Sequence, residues 1–338
     1  MENLQTHCKA LDLLTDGGLP TGTITQVFGE KALGKSILSF QAACATVAEG
    51  GRSAIVLDTE QSYISYLMKY RYPGMRKRFG KEINVREAKL EKVPRSSRKK
   101  SVSRSELVSK LSSTLNELGV VYGDSHVSTV ADILCPEFDV KFEDAGEPSV
   151  LIIQMPEITD LLKLHGVDAE KVVSGGGRVE MRLKSTPVYQ SALYNLIEQT
   201  KAKLLVYDSI SAPLKSTFPS TQDLPARSSS VAMLFSHAQR LCIEFGIAVL
   251  TTSHVSIDPI NEWDRRPYGG IIIGHDAKFS FELTKATAER NTKAKVKPTA
   301  VNPEDESEEG RKVWVQRHPA MADYSRYGYA AIEDEGFR

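Results

Sequence analysis

Several things are scarce in this chain, and each scarcity removes a class of protein. Net charge is absent: 43 Lys and Arg offset 43 Asp and Glu. No global basic field therefore advertises a nucleic-acid partner, and such a partner has to be read from local clusters. Long apolar runs are absent too, none reaching the roughly 20 residues that a membrane-spanning helix needs. The opening Met1-Glu2-Asn3-Leu4 has neither the basic start nor the apolar core of a secretory signal. The expected location is cytoplasmic, or nuclear in a eukaryote, with no membrane partner. Cys8, Cys44, Cys135 and Cys242 are scattered and form no C-x-x-C pair, the usage of reduced intracellular thiols rather than of a disulfide framework or a zinc site. No internal repeat is visible. What is left is an ordinary globular composition, 41% hydrophobic and 25% charged over 338 residues, enough for one large α/β domain or one plus an inserted subdomain.

What is present is concentrated in one stretch, Gly29-Glu30-Lys31-Ala32-Leu33-Gly34-Lys35-Ser36, which fits G-x-x-x-x-G-K-[ST]. The glycines allow a tight turn whose amides close on an anionic phosphate, Lys35 reaches the terminal phosphates, and the Ser36 hydroxyl can ligate Mg²⁺. The flanks are those the motif requires. Thr23–Phe28 alternates as a strand, and Ile37–Ala48 reads as an apolar-faced helix closed by Gly50-Gly51. Its first turn, at Ile37, aims a positive dipole end at the same anion.

Two further strand ends complete the chemistry. Ser53–Leu57 is nearly continuously apolar, as a strand buried on both faces is, and runs into Asp58-Thr59-Glu60. Ligands of open α/β sheets bind at the carboxyl ends of such strands, so Glu60 is read as a water-orienting general base. Lys203–Tyr207 runs in the same way into Asp208, placed to hold the hydration shell of the metal beside Ser36.

Elsewhere composition divides the chain. Between Lys69 and Lys110 fifteen Lys and Arg face four Asp and Glu, and the centre of this segment, with Arg98, Lys99 and Lys100, reads as a mobile arm able to bind nucleic-acid phosphates. Leu11–Leu19 reads as a helix, Thr217–Arg227 as a polar loop before a helix over Ser229–Phe245, and Ile247–Ser253 as a strand leading to His254. Ser256–Gly270 is a loop whose Trp263, Arg265, Arg266 and Tyr268 suit stacking and phosphate contact with a single strand. Phe279–Leu283 and Lys312–Gln316 pair, and the Lys285–Arg311 segment between them is rich in Lys, Glu, Pro and Asn and is expected to be disordered. The partition is a first core part (1–74), a basic then acidic insertion (75–150), and a second core part (151–338). The fold expected is a three-layer α/β/α sandwich on a mostly parallel twisted sheet.

In series, these parts resemble the RecA-type recombinases, in the RadA branch and especially its short RadB-like paralogues. The resemblance is carried by LDLLTDGGLPTGTITQVFGE (11–30), IVLDTE (55–60), STPVYQSALYNLIEQTKAKLLVYDSISA (185–212) and RPYGGIIIGHDAKFSFEL (266–283). It implies a RecA-like P-loop ATPase of homologous recombination. ATP would lie on Gly29–Ser36 and Ile37, Mg²⁺ on Ser36 and Asp208, and Glu60 would activate water. Single- or double-stranded DNA would meet the loops 217–227 and 256–270, with Arg227, Trp263, Arg265 and Arg266 as contacts. His275 matches a histidine linking the second loop to the nucleotide across a subunit interface.

The sequence departs from the branch in four places. Residues 1–22 leave no room for its helical N-terminal DNA-binding domain, and its Phe-x-x-Ala linker is not found. His254 stands where the branch has a glutamine γ-phosphate sensor. The arginine that stacks on adenine has no counterpart, and Tyr66 is the candidate substitute. Three functions follow: a DNA-dependent ATPase that forms or regulates recombinase filaments, an accessory module that binds ATP with little hydrolysis and docks on a recombinase, or a hexameric KaiC-like or DnaB-like ATPase.

Overall fold

The computed structural model describes residues 2–92, 138–141, 146–173, 179–257, 265–268, 276–290 and 297–338, with 109, 112 and 113 besides. Its frame is a twelve-stranded sheet among the described residues. The strand that delivers the phosphate loop, Ile24–Gly29, lies inside it, with Phe279–Lys285 on one side and Ala248–Ile257 on the other, both parallel to it. Outward from Ala248–Ile257 come Leu204–Asp208, Ala54–Asp58, Val150–Gln154 and Val85–Lys92, all parallel, and then Phe138–Lys141, antiparallel. Outward from Phe279–Lys285 come Arg311–Arg317 and Arg326–Ala330, each antiparallel to its neighbour, and the short Thr299–Ala300. Parallel strands point the same way, so Gly29, Asp58, Asp208 and His254 all arrive at one edge of the sheet.

Both faces of the sheet are covered because both sets of alternating side chains are apolar. Ile55, Leu57, Leu205, Tyr207, Leu151 and Ile153 enter one core, under the helices Ile158–Leu164, Ala192–Thr200 and Leu224–Phe245. Ala54, Val56, Leu204, Val206, Val150 and Ile152 enter the other, under the helices Lys35–Ala48 and Lys9–Leu14. Three layers result, as expected.

Several local expectations are corrected. The first helix ends at Leu14, because Asp16, Gly17 and Gly18 all take positive φ, and Leu19–Pro20 then pairs with Asn3–Leu4. The basic segment is ordered from Lys69 to Lys92: it contributes the end of a π-helix (Tyr63–Arg71), a helix (Tyr72–Phe79) and the strand Val85–Lys92. Residues 85–92 and 138–141, both inside the segment set apart by composition, belong to the central sheet. The core of the basic arm, with Arg98, Lys99 and Lys100, lies outside the described residues. Val179–Ser185, where a strand over Val179–Leu183 is legible in the sequence, pairs antiparallel with Val167–Val173 in a separate hairpin. The 285–311 segment is ordered in its described parts: Arg290 makes a two-pronged ion pair with buried Glu282, and buried Asn302 donates to the Tyr329 carbonyl and accepts from the Tyr329 amide. Its composition is charged, but several of the charges are paired: Arg290 with Glu282, Glu289 with Lys312, and Glu304 and Asp305 with Lys9.

Candidate nucleotide site

The site is built where the strand ends meet. From Gly29 the chain turns through the loop and enters the helix at Lys35, with Gly34 at φ 103° as its cap. A side chain at Gly34 would place its first carbon 2.6 Å from Ile332 and 2.8 Å from Phe337, and at Gly29 it would meet the Leu283 carbonyl at 2.4 Å. Only glycine fits either place, and the amides are left open. Glu30, Lys31 and Ala32 are exposed, Leu33 and Ile37 are buried, and Ser36 is half-buried at the helix start. Buried Lys35 donates to the carbonyls of Gly29 (3.0 Å) and Glu30 (2.7 Å). Burial pushes the Lys35 ammonium below its usual range, and the charges of Asp208 and Glu60 oppose that shift.

Asp208 stands beside this loop, fully buried. Thr252 donates to its Oδ1, and its Oδ2 has no hydrogen-bond partner. Burial pushes the carboxyl up; Thr252 holds it down, and so do the Ser36 and Tyr63 hydroxyls, which lie near it without reaching hydrogen-bond geometry. An orphaned carboxylate oxygen at such depth is costly unless a cation or its water meets it. With Ser36 adjacent, the donor set is that of a hydrated Mg²⁺.

Glu60 is presented by a fixed turn. Asp58, buried at the neighbouring strand end, accepts from the amides of Glu60 (3.2 Å), Ser62 (3.3 Å) and Tyr63 (3.2 Å). Glu60 Oε1 in turn accepts from Ser209 Oγ at 2.6 Å and lies 3.3 Å from His254 Nε2. His254, first among the causes, then Ser209 and the Lys35 charge hold its carboxyl down at about 2 against the opposing effect of burial. The Oγ atoms of Ser209 and Ser211 are 3.0 Å apart, and Ser211 Oγ accepts from the His254 amide at 3.0 Å. Glu60, Ser209, Ser211 and His254 thus close a ring of contacts across three strands.

Ser209, Ser211, Thr252 and Asp58 were not singled out from sequence. The signal available was their position, one to three residues from Asp208 or at the last turn of a strand. Tyr66 is exposed on the π-helix, its ring 5.3 Å from that of Tyr70.

Two of the candidate nucleic-acid residues, Arg227 and Arg265, are engaged by neighbouring side chains. The helix expected at Ser229 begins at Leu224, where Pro225 suits a first turn, so Arg227 is helical. Its guanidinium donates to Tyr268 Oη at 3.1 Å and lies 5.0 Å from that ring, which Lys215 approaches at 4.7 Å. The Tyr268 amide donates to the His254 carbonyl at 2.8 Å. The strand expected to stop at Ser253 continues to Ile257 and pairs with Arg265–Pro267, so the loop between them is shorter than expected. Arg265 is ion-paired with Glu30 of the phosphate loop, and Arg266 is exposed on the same short strand. Trp263 and His275 lie outside the described residues.

The comparisons meet this geometry. The sequence signature of the Rad51 family matches residues 1–128 and 181–310, more than half the chain. The chain belongs to the Rad51 family. It is 32% identical over 117 residues to the DNA repair protein rhp51 of Schizosaccharomyces pombe, covering 33% of this chain and 32% of that protein. It is 44% identical over 59 residues to the DNA repair and recombination protein RadB of Methanococcoides burtonii, covering 18% and 26%. These alignments span a third or less of each relative. The solved RadB recombinase superposes with a TM-score of 0.50 over 99% of this chain and 98% of that one at 14% identity, a likeness of fold. The RecA-like architecture and the family are those the sequence pointed to. No helix among the described residues of this Rad51-family chain is long and apolar enough to cross a membrane.

Proposed function

We propose that this chain is an ATP-binding, DNA-binding recombinase paralogue of homologous recombination and DNA repair, with Mg²⁺-dependent ATP hydrolysis. The observation that carries the reading is Asp208: a buried carboxylate with an orphaned oxygen, beside Ser36 and the phosphate loop, with Glu60 fixed one strand away. Gly29–Ser36 and Ile37 would hold the nucleotide, Ser36 and Asp208 the metal, and Lys35 the terminal phosphates. The metal, when bound, neutralises charge on the phosphate oxygens. Glu60, ionised and clamped by Ser209, orients the attacking water. Arg227, Arg265, Arg266 and Trp263 remain the proposed DNA contacts, with Arg98, Lys99 and Lys100 of the basic arm. His275 is the proposed link to a second subunit.

The test is ATP turnover by wild type and Glu60→Gln, with and without single-stranded DNA. DNA stimulation lost in Glu60→Gln supports a recombinase-type ATPase. A slow rate indifferent to DNA and to Glu60, in protein that still binds ATP, supports the second reading, an accessory module docking on a recombinase. That reading is favoured by the engagement of Arg227 with Tyr268 and of Arg265 with Glu30.

A further inference from the structure

The ring formed by Glu60, Ser209, Ser211 and His254 separates two tasks that a single carboxylate usually combines. Orienting a water requires a fixed acceptor. Accepting its proton requires a group whose basicity matches the working pH. Glu60 is well suited to the first task. Its Oε1 is committed to Ser209 and faces His254, and its acidity, down at about 2, leaves little appetite for a proton. The group in contact with it is an imidazole, the side chain that changes charge near neutrality.

His254 is also in the right place. Its backbone is in register with Gly29, the first residue of the phosphate loop, on the adjacent parallel strand. Its Nε2 faces Glu60 at 3.3 Å. Its main chain is held at both polar groups, the amide by Ser211 Oγ and the carbonyl by the Tyr268 amide. The backbone that carries the ring is therefore fixed, and one ring nitrogen lies against an anion.

We propose that His254 is the proton acceptor for the attacking water and that Glu60 is its anionic partner, a positioning residue for the imidazole as well as for the water. The proposal rests on the hydrolase reading above. In the step, the water oxygen bonds to the γ-phosphorus as the bond from that phosphorus to its bridging oxygen breaks. The electron pair departs with ADP. The water proton passes to His254 Nδ1, the resulting imidazolium is stabilised by Glu60, and the proton is later released to solvent. The charged groups around the dyad are Lys35 on the phosphate-loop helix, Asp208 at the next strand end, Glu30 in the loop with Arg265 upon it, and Lys215 on the helix Ser211–Thr217. They are unchanged in the comparisons that follow.

Two measurements test the proposal. The first uses nucleotide-free protein. The His254 imidazole is titrated by NMR, its signal assigned by its loss in His254→Gln, in wild type and in Glu60→Gln. Removal of the anionic partner moves the His254 midpoint to lower pH; an unmoved midpoint overturns the dyad. The second is the pH–rate profile of ATP hydrolysis. Wild type rises with pH along one ionisation. His254→Gln loses that limb, with kcat down by about 10²–10⁴-fold and KM for ATP within a few-fold. Turnover with the wild-type limb retained in His254→Gln sinks this proposal alone. A wild type that binds ATP and turns none over sinks the hydrolase reading and this proposal together.

Discussion

Ser209 and Ser211 show how much of the site lies in single hydroxyls. Lys35, Ser36, Asp208 and Glu60 were legible because their spacing and strand context are fixed by phosphate chemistry. The serines were not legible: what brings them to the candidate site is the register of Ala54–Asp58 against Leu204–Asp208, which sets Asp58 opposite Asp208 across 150 positions of sequence. The same register lets Thr59 Oγ1 donate to the Ser209 carbonyl at 2.6 Å and accept from its amide at 2.9 Å. Ser209→Ala removes one hydrogen bond to a charged group, worth about 1.5–3 kcal/mol. We expect kcat to fall at least tenfold with KM for ATP nearly unchanged, because Glu60 loses its clamp and the phosphate loop does not. A rise in KM with kcat preserved would show that Ser209 serves binding instead.

At the scale of elements, strands flanked by apolar neighbours were read well and charged connections poorly. The strands read at Thr23–Phe28 and Ser53–Leu57 are found at Ile24–Gly29 and Ala54–Asp58. The 285–311 segment was misread because composition reports charge but not pairing. Glu282, buried in its strand, meets Arg290 through two bonds of 2.6 and 2.7 Å, and Lys312 lies within 6 Å of the Trp314, Tyr327 and Tyr329 rings. Breaking a buried pair from one side strands the other charge. Arg290→Met should therefore destabilise the fold by about 3–5 kcal/mol, read as a lowered urea midpoint. A double change that also replaces Glu282 with Gln should recover much of the loss. Recovery failing, or a cost below 1 kcal/mol in the single variant, would mean that the pair is effectively solvated.

For the molecule as a whole, the buried histidines link stability to pH. His165, wholly enclosed, receives or donates at Tyr207 Oη (2.8 Å), and its carbonyl is met by His237 Nδ1 (2.8 Å). Burial, with His237 nearby, pushes His165 down to about 3, and burial lowers His237 as well. The folded form therefore keeps His165 neutral while an unfolded chain takes up a proton below about pH 6.5. Its contribution is fully present above that pH and is lost as the pH falls toward about 3, at a limiting slope of about 1.4 kcal/mol per pH unit. Urea midpoints at pH 7, 6 and 5 should fall faster for wild type than for His165→Gln, which keeps a polar partner for Tyr207 without the titration. Parallel curves would remove His165 from the acid sensitivity.

The strand order has a consequence for how the protein is made. Ile24–Gly29 is bonded on its two sides by Ala248–Ile257 and Phe279–Lys285, more than two hundred residues further along the chain. At roughly 5–20 residues per second, the ribosome takes on the order of ten seconds or more to supply those neighbours. Until then a nascent chain carries an apolar strand with two open edges, the situation in which pairing with a wrong strand competes with waiting for the right one. The phosphate loop is synthesised well before either strand that completes it, so yield from a slow or truncated translation should depend on helper chaperones more than the stability of the finished fold would indicate.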